Sequence, residues 1–299
     1  MHAKPSRVAT FIDKGGTGKT TVAAHLGVAF DRLGRDVLLV DLAGKQGDLG
    51  KHFGLWQEVQ GDIVNDDDWP NVSTVFQEEW DIIVEKLGPN AVDDLIYDTG
   101  EGPDMLPAHP GLDGLDADLG NVSDPHDRYS RFDSFLDGYV DDQGYDVVLI
   151  DLPGITNNVT YNGLWAAGSV VAPAEMGVFE ASQVESLEAD LATMSQNFDV
   201  TVDLEMVLPN KVDRRTKLAD EYLEDYEASY PERVAPCPLP ASQDVRNAAN
   251  EGRTLFAIEE PSDTAQRARD RLMDIGEELL ERIEPEASSA DTVGARSDD

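Results

Sequence analysis

Seven residues near the N-terminus, Lys14-Gly15-Gly16-Thr17-Gly18-Lys19-Thr20, have the types and spacing needed to hold a polyphosphate. The glycines let successive backbone N–H groups turn toward one anion without Cβ clashes. Lys19 brings a cation to the β- and γ-phosphates, and the Thr20 hydroxyl is placed to ligate a magnesium ion. Thr21 extends the same cradle. The general pattern is GxxxxGK[ST], with Asp13 here at the first glycine position. Before the loop lies the apolar segment VATFID. After it, Val22, Leu26, Ala29 and Leu33 recur at helical spacing, and Gly34 can end the helix. Strand, glycine loop and helix in that order add the partial positive charge of a helix N-terminus to the phosphate site. The ligand implied is ATP with Mg2+.

The elements that must position this loop alternate along the chain. Val8 to Ile12, Val37 to Leu42, Tyr145 to Leu152, Ser169 to Ala172 and Val202 to Leu208 read as buried strands. Continuous apolar strands belong to a parallel sheet covered on both faces. Alternation with helices gives an α/β fold, a doubly wound, mostly parallel sheet of the P-loop NTPase type. Residues 60–143 are less regular. Asp66 to Trp69 and Pro103 to Asp127, rich in Asp, Gly and Pro, read as surface loops, and Glu78 to Lys86 and Arg131 to Val140 as helices. One domain is expected over residues 1–283, with 284–299 a disordered acidic tail.

Composition sets the remaining bounds. The 299 residues suffice for a full core, and the formal charge is −37, from 60 acidic and 23 basic residues. Lysine is scarce, eight against fifteen arginines. An acidic, Lys-poor chain with ordinary apolar content reads as adapted to molar salt, where its self-repulsion is screened. Cys237 is the only cysteine, which excludes an intrachain disulfide and suits a cytoplasmic protein. The five histidines show no metal-ligand spacing. The N-terminus enters a strand before a signal-peptide core develops, and no apolar run approaches the roughly 18 residues of a membrane span.

KGGTGKT, with a second lysine at the start of the loop, resembles the deviant Walker A motif of the ParA/Soj/MinD superfamily of partition and positioning ATPases. The resemblance implies an ATP-dependent homodimer in which Lys14 reaches the partner's nucleotide. YDVVLIDLPG resembles the family's Walker B strand, so Asp151 is implied to hold Mg2+ through water, and Gly154 to let a switch loop move. VLPNKVDRRTK and PLPASQDVRNAANEGRTLFA resemble later segments, which place Asn210 and the backbone near Pro240 beside the adenine. SVVAPAEMGVFEASQVESL and MLPAHPGLDGLDADL are similar to further family stretches, so the likeness spans about residues 6–280.

The second motif, VLLVDLAGKQGDLG, departs from the family. Asp41 is present, with a role at the Mg2+ waters or the Thr20 hydroxyl, but Ala43 stands where a second acid orients the attacking water. An alanine side chain can neither orient water nor accept its proton. Two readings stay open. Asp48 or Gln46 takes over the role, as Gln does in some GTPases, or hydrolysis is slow and the protein acts as a nucleotide-gated binder.

ParA-like proteins couple ATP dimerisation to nonspecific DNA binding, relieved by a ParB-like stimulating protein. The DNA-contacting candidates implied here are Arg214, Arg215, Lys217, Arg246 and Arg253, together with Lys211 and the cluster Arg267 to Arg271. A charge of −37 opposes DNA at long range. Molar salt shortens the Debye length to about 3 Å and weakens phosphate contacts too, so binding would rest on locally matched arginines. A membrane-cycling relative needs a basic amphipathic C-terminal helix, whereas the end here is acidic. Iron–sulfur relatives need interface cysteines, and an ATP-dependent ligase has no substrate signature here. A cargo-positioning ATPase acting on a protein assembly is the serious alternative. From the charge, thermal unfolding is expected at higher temperature in molar KCl than in dilute buffer; greater stability in dilute buffer would refute the salt-adapted reading.

Overall fold

The apolar runs pair as the pattern requires. A computed structural model describes residues 4–44, 47–65, 69–88, 90–213 and 217–284. Seven strands, β1 Ser6–Thr10, β2 Val37–Asp41, β3 Tyr97–Asp98, β4 Asp104–Leu106, β5 Val147–Asp151, β6 Ser169–Ala174 and β7 Asp203–Pro209, form one sheet in the order β3-β4-β2-β5-β1-β6-β7. All neighbours run parallel except β3 against β4.

The central strands are buried along their whole length, and their side chains alternate between two cores. Val37, Leu39, Val147 and Leu149 face the helices Lys19–Arg32 and Asp263–Ile283. Leu38, Val40, Val148 and Ile150 face the helices Arg131–Tyr139, Asn158–Ala167 and Val178–Phe198. The first helix buries Val22, Leu26 and Ala29, with Leu33 packed at the edge of the same core, and Gly34 closes it at φ +85° by donating to the Asp31 carbonyl. Arg35 pairs with Glu284 just past the last helix. Among the described residues, no helix is long and apolar enough to cross a membrane.

Pro103 to Asp127 is not the loop that its composition suggests. It holds β4, the helix Leu112–Gly120 and the short helix Pro125–Tyr129. Leu112, Leu115 and Leu119 make one buried helical stripe between solvated Asp and Gly residues. Asp124 caps the second helix through the His126 and Asp127 N–H groups, with Pro125 at its first position. Residues 66–68 and 285–299, the latter nearly all of the expected tail, lie outside the described set, while Trp69 is exposed.

Two buried histidines tie the phosphate-loop helix to its surroundings. His25 Nδ1 donates to the Thr21 carbonyl at 2.7 Å, and its Nε2 accepts the Leu255 N–H at 3.1 Å, a tautomer assigned from these partners. His52 Nε2 lies 3.3 Å from the Thr21 hydroxyl. Burial, then the neighbouring His52, depress His25 to about 3, and burial depresses His52 to about 4. Protonating His25 Nε2 would set one N–H against another. Because both folded values lie below the ordinary 6.5, the unfolded chain takes up protons that the folded chain refuses. Their contribution to stability is complete above about pH 6.5 and is lost as pH falls, on the order of 1.4 kcal/mol per pH unit for each histidine. A His52→Gln variant is therefore expected to lose less stability than the wild type between pH 7 and pH 5; equal losses in denaturant titrations at the two pH values would contradict this.

Candidate nucleotide site

Register decides where the site lies. Thr10, Asp151 and Asp41 stand side by side at the carboxyl ends of β1, β5 and β2. β1 and β5 are neighbours whose following helices pack on opposite faces of the sheet. The crevice left at such a switch point is where open α/β sheets take their ligands.

The loop between β1 and the first helix crosses this crevice. Gly16 and Gly18 adopt φ of +81° and +95°, the left-handed conformation that glycine takes without strain. Gly18 is the helix N-cap, so the first N–H groups of Lys19–Arg32 face the loop. Lys19 is buried, and its Nζ donates to the Lys14 carbonyl at 2.6 Å. Burial lowers its pKa, while Asp151 and Asp13 raise it.

Asp151 is fully buried. Its Oδ1 accepts the Thr10 hydroxyl at 2.9 Å, and its Oδ2 has no hydrogen-bond partner among the described residues. Burial raises its pKa above the ordinary carboxylate range, against the hydroxyls of Thr20 and Thr10 and the charge of Lys19. An unsatisfied buried carboxylate oxygen beside the Thr20 hydroxyl is a donor set of the kind that a hydrated magnesium ion accepts. These residues fit that ion.

Asp41 is also buried, and its pKa is raised by burial and then by Asp151. Its Oδ1 accepts the Ala43 N–H at 2.9 Å and its Oδ2 the Leu49 N–H at 3.3 Å. The side chain thus ties both ends of the altered second-motif loop and does not line the cavity above. Asp48 does line it, and pairs with Lys51 at 2.8 Å on its own helix. Gln46 lies outside the described residues.

That cavity, about 900 Å³, runs over Gly15 to Thr21, Ala43, Asp48, Asn210 and Pro240. Small-molecule clefts span about 300–1,000 Å³, so a nucleotide fits. Two flanks fasten the loop. On one, Asn210 Nδ2 donates to the Thr17 carbonyl at 2.7 Å, and Lys211 reaches the Gly16 carbonyl and, at 2.9 Å, Glu175. Lys211 therefore belongs to the P-loop support and not to a DNA surface. On the other flank, the Thr156 hydroxyl donates to Asp13 Oδ2 at 2.9 Å and Gln183 Nε2 to the Asp13 carbonyl at 3.3 Å. No sequence spacing announces these four contacts; they come from the end of β7, from the segment after β5 and from the helix Val178–Phe198 that follows β6.

The expected DNA residues are not brought into one basic surface among the described residues. Arg214 and Arg215 lie outside that set, as does the side chain of Lys217, which opens the helix Lys217–Ser229. Arg246 is exposed at the cavity wall and bonds Gln243. Arg253 pairs with Glu251. In the late cluster, Arg267, Arg269 and Arg271 all donate to backbone carbonyls, of Asp263, of Leu255 and Ile258, and of Pro238.

A family model described as the CobQ/CobB/MinD/ParA nucleotide binding domain matches residues 8–255. The chain belongs to this family. It is 28% identical over 284 residues to the chromosome-partitioning ATPase Soj of Thermus thermophilus, covering 95% of this chain and 99% of that protein. It is 27% identical to the chromosome partitioning protein ParA of Caulobacter vibrioides, covering 86% and 88%. A solved structure of cobyrinic acid a,c-diamide synthase from Mycobacterium smegmatis, with bound ATP analog and magnesium, superposes with a TM-score of 0.65 at 27% identity, covering 89% of this chain and 92% of that one.

Gly154 presses on the loop from β5. A Cβ there would lie 2.7 Å from the Lys14 carbonyl oxygen and 2.8 Å from Lys19 Nζ. Strain of this kind typically costs about 1–3 kcal/mol, and about 1.4 kcal/mol is tenfold in affinity. Gly154→Ala is expected to weaken binding of a fluorescent ATP analogue about tenfold or more with an unchanged circular dichroism spectrum; an unaltered Kd would show that the loop yields freely.

Proposed function

We propose that this chain is a partition ATPase of the ParA type, a switch that dimerises on magnesium ATP and releases on hydrolysis. The observation that carries the reading is the unpartnered Oδ2 of buried Asp151 beneath a P-loop with two lysines. Near end-to-end similarity to Soj supports the same reading. The ATPase domain covers residues 1–283.

Lys19 leaves the Lys14 carbonyl to meet the β- and γ-phosphates, and the backbone N–H groups of Gly15 to Thr20 surround them. Asp151 and Thr20 hold the magnesium ion, with Asp41 fixing the loop behind it. When bound, that ion neutralises charge developing on the phosphates. Asn210 and the backbone near Pro240 border the base. Lys14 reaches the nucleotide of the second subunit. The protein acts in the cytoplasm, bound nonspecifically to nucleoid DNA through Arg214, Arg215, Lys217, Arg246 and Arg253, with a ParB-like partner that stimulates hydrolysis.

A second reading has one observation in its favour. Arg253 is spent on Glu251, and the late arginines serve backbone carbonyls. A cargo-positioning ATPase that acts on a protein assembly needs no DNA surface. Lys19→Ala is expected to abolish nucleotide binding or turnover, and Lys14→Ala to bind ATP yet fail to dimerise in analytical ultracentrifugation. ATP-dependent retention of DNA at molar KCl is the expected result for partition. Failure to retain DNA, with ATP-dependent dimerisation intact, selects cargo positioning; a Lys14→Ala protein that still dimerises with ATP defeats the two-lysine reading.

A further inference from the structure

Ala43 leaves its own position in the second motif without a carboxylate, but another element brings one to the same cavity. Asp113, in the first turn of the helix Leu112–Gly120, lines the same cavity as Gly15 to Thr20, Ala43 and Asp48. A Cβ built on Gly44 would stand 3.8 Å from Asp113 Oδ1, so the carboxylate lies against the backbone directly after Ala43. Gly44 has φ +94° and no side chain, which turns the loop away and leaves room for an acid arriving from the other wall.

The helix that carries Asp113 is firmly placed. Leu112, Leu115 and Leu119 are buried in the core beneath it. One turn on, Asp116 Oδ1 accepts both the N–H of Asn158 at 2.8 Å and its side-chain amide at 2.9 Å. Asn158 opens the helix that follows the Gly154 loop. The helix carrying Asp113 is thus tied to the start of the helix Asn158–Ala167.

We propose that Asp113 supplies, from the facing helix, the water-orienting carboxylate that Ala43 lacks. The inference rests on the ATPase reading above. In the step it serves, a water oxygen forms a bond to the γ-phosphorus while the bond from that phosphorus to the β,γ-bridging oxygen breaks. The bridging oxygen leaves with ADP. One water proton passes to the Asp113 carboxylate and then to the released phosphate, so ATP and water give ADP and inorganic phosphate.

Single-turnover hydrolysis by the full chain, at saturating magnesium ATP, tests this alongside titration of a fluorescent ATP analogue. Asp113→Asn is expected to slow hydrolysis by on the order of 10²–10⁴-fold with an unchanged Kd. Adding Ala43→Asp to that variant is expected to restore hydrolysis, because the acid then returns from the loop side. Wild-type hydrolysis by Asp113→Asn overturns the proposal, as does a loss of rate confined to Asp48→Asn or a loss of rate that merely follows lost nucleotide affinity. A wild-type protein that binds ATP and does not turn it over overturns the ATPase reading itself, and the proposal with it.

Discussion

A carboxylate at the end of a strand with no exposed residue is an expensive thing to maintain, and the site is organised around that cost. Asp151 needs the sheet for rigidity, because β1 and β2 fix it in register between Thr10 and Asp41. The same sheet deprives it of water. Asp41 beside it raises the cost, since two buried acids disfavour each other's ionisation. Thr10 relieves one oxygen, Lys19 supplies opposite charge, and the other oxygen is left for a cation. An exposed acid in this place would bind magnesium water by water, with little preference for the ion that a triphosphate brings along.

The P-loop stands over this floor without a core of its own, so its shape depends on what holds it from the sides. Asn210 and Lys211 reach it from the end of β7, Thr156 from the segment after β5, and Gln183 from the helix after β6. The Thr17 and Gly16 carbonyls on one side and Asp13 on the other take up these donors. That arrangement leaves the loop's own N–H groups facing the cavity. His25 extends the support deeper, joining the first helix to the Leu255 backbone.

Five of the seven strands are legible because β1, β2, β5, β6 and β7 fall on predominantly apolar runs. β3 and β4 are two and three residues long and sit among Asp, Gly and Pro, where no period can develop. The helix Leu112–Gly120 hides for a related reason. Its three leucines at helical spacing are diluted by aspartates and glycines that composition assigns to a loop. At the site, the glycines, Lys19 and Thr20 can be read from local spacing, since strand, loop and helix are consecutive, and Asp151 from the resemblance of its strand to the family's. The engagement of Lys211 by Gly16 and the approach of Asp113 to Gly44 are tertiary, with no motif to mark them. The turn of Asp41's oxygens onto the Ala43 and Leu49 N–H groups is local, but it depends on the altered loop between them.

The contact between Lys19 Nζ and the Lys14 carbonyl makes the protein's own peptide oxygen the partner of the loop's buried ammonium. A phosphate taken up here would exchange partners with that oxygen instead of meeting a bare charge, at some cost in affinity, because the amide contact must be given up. The Lys14 carbonyl, with Gly154 close by and no room for a Cβ between them, would then need another donor, which would couple the ligand to the backbone that carries the second lysine.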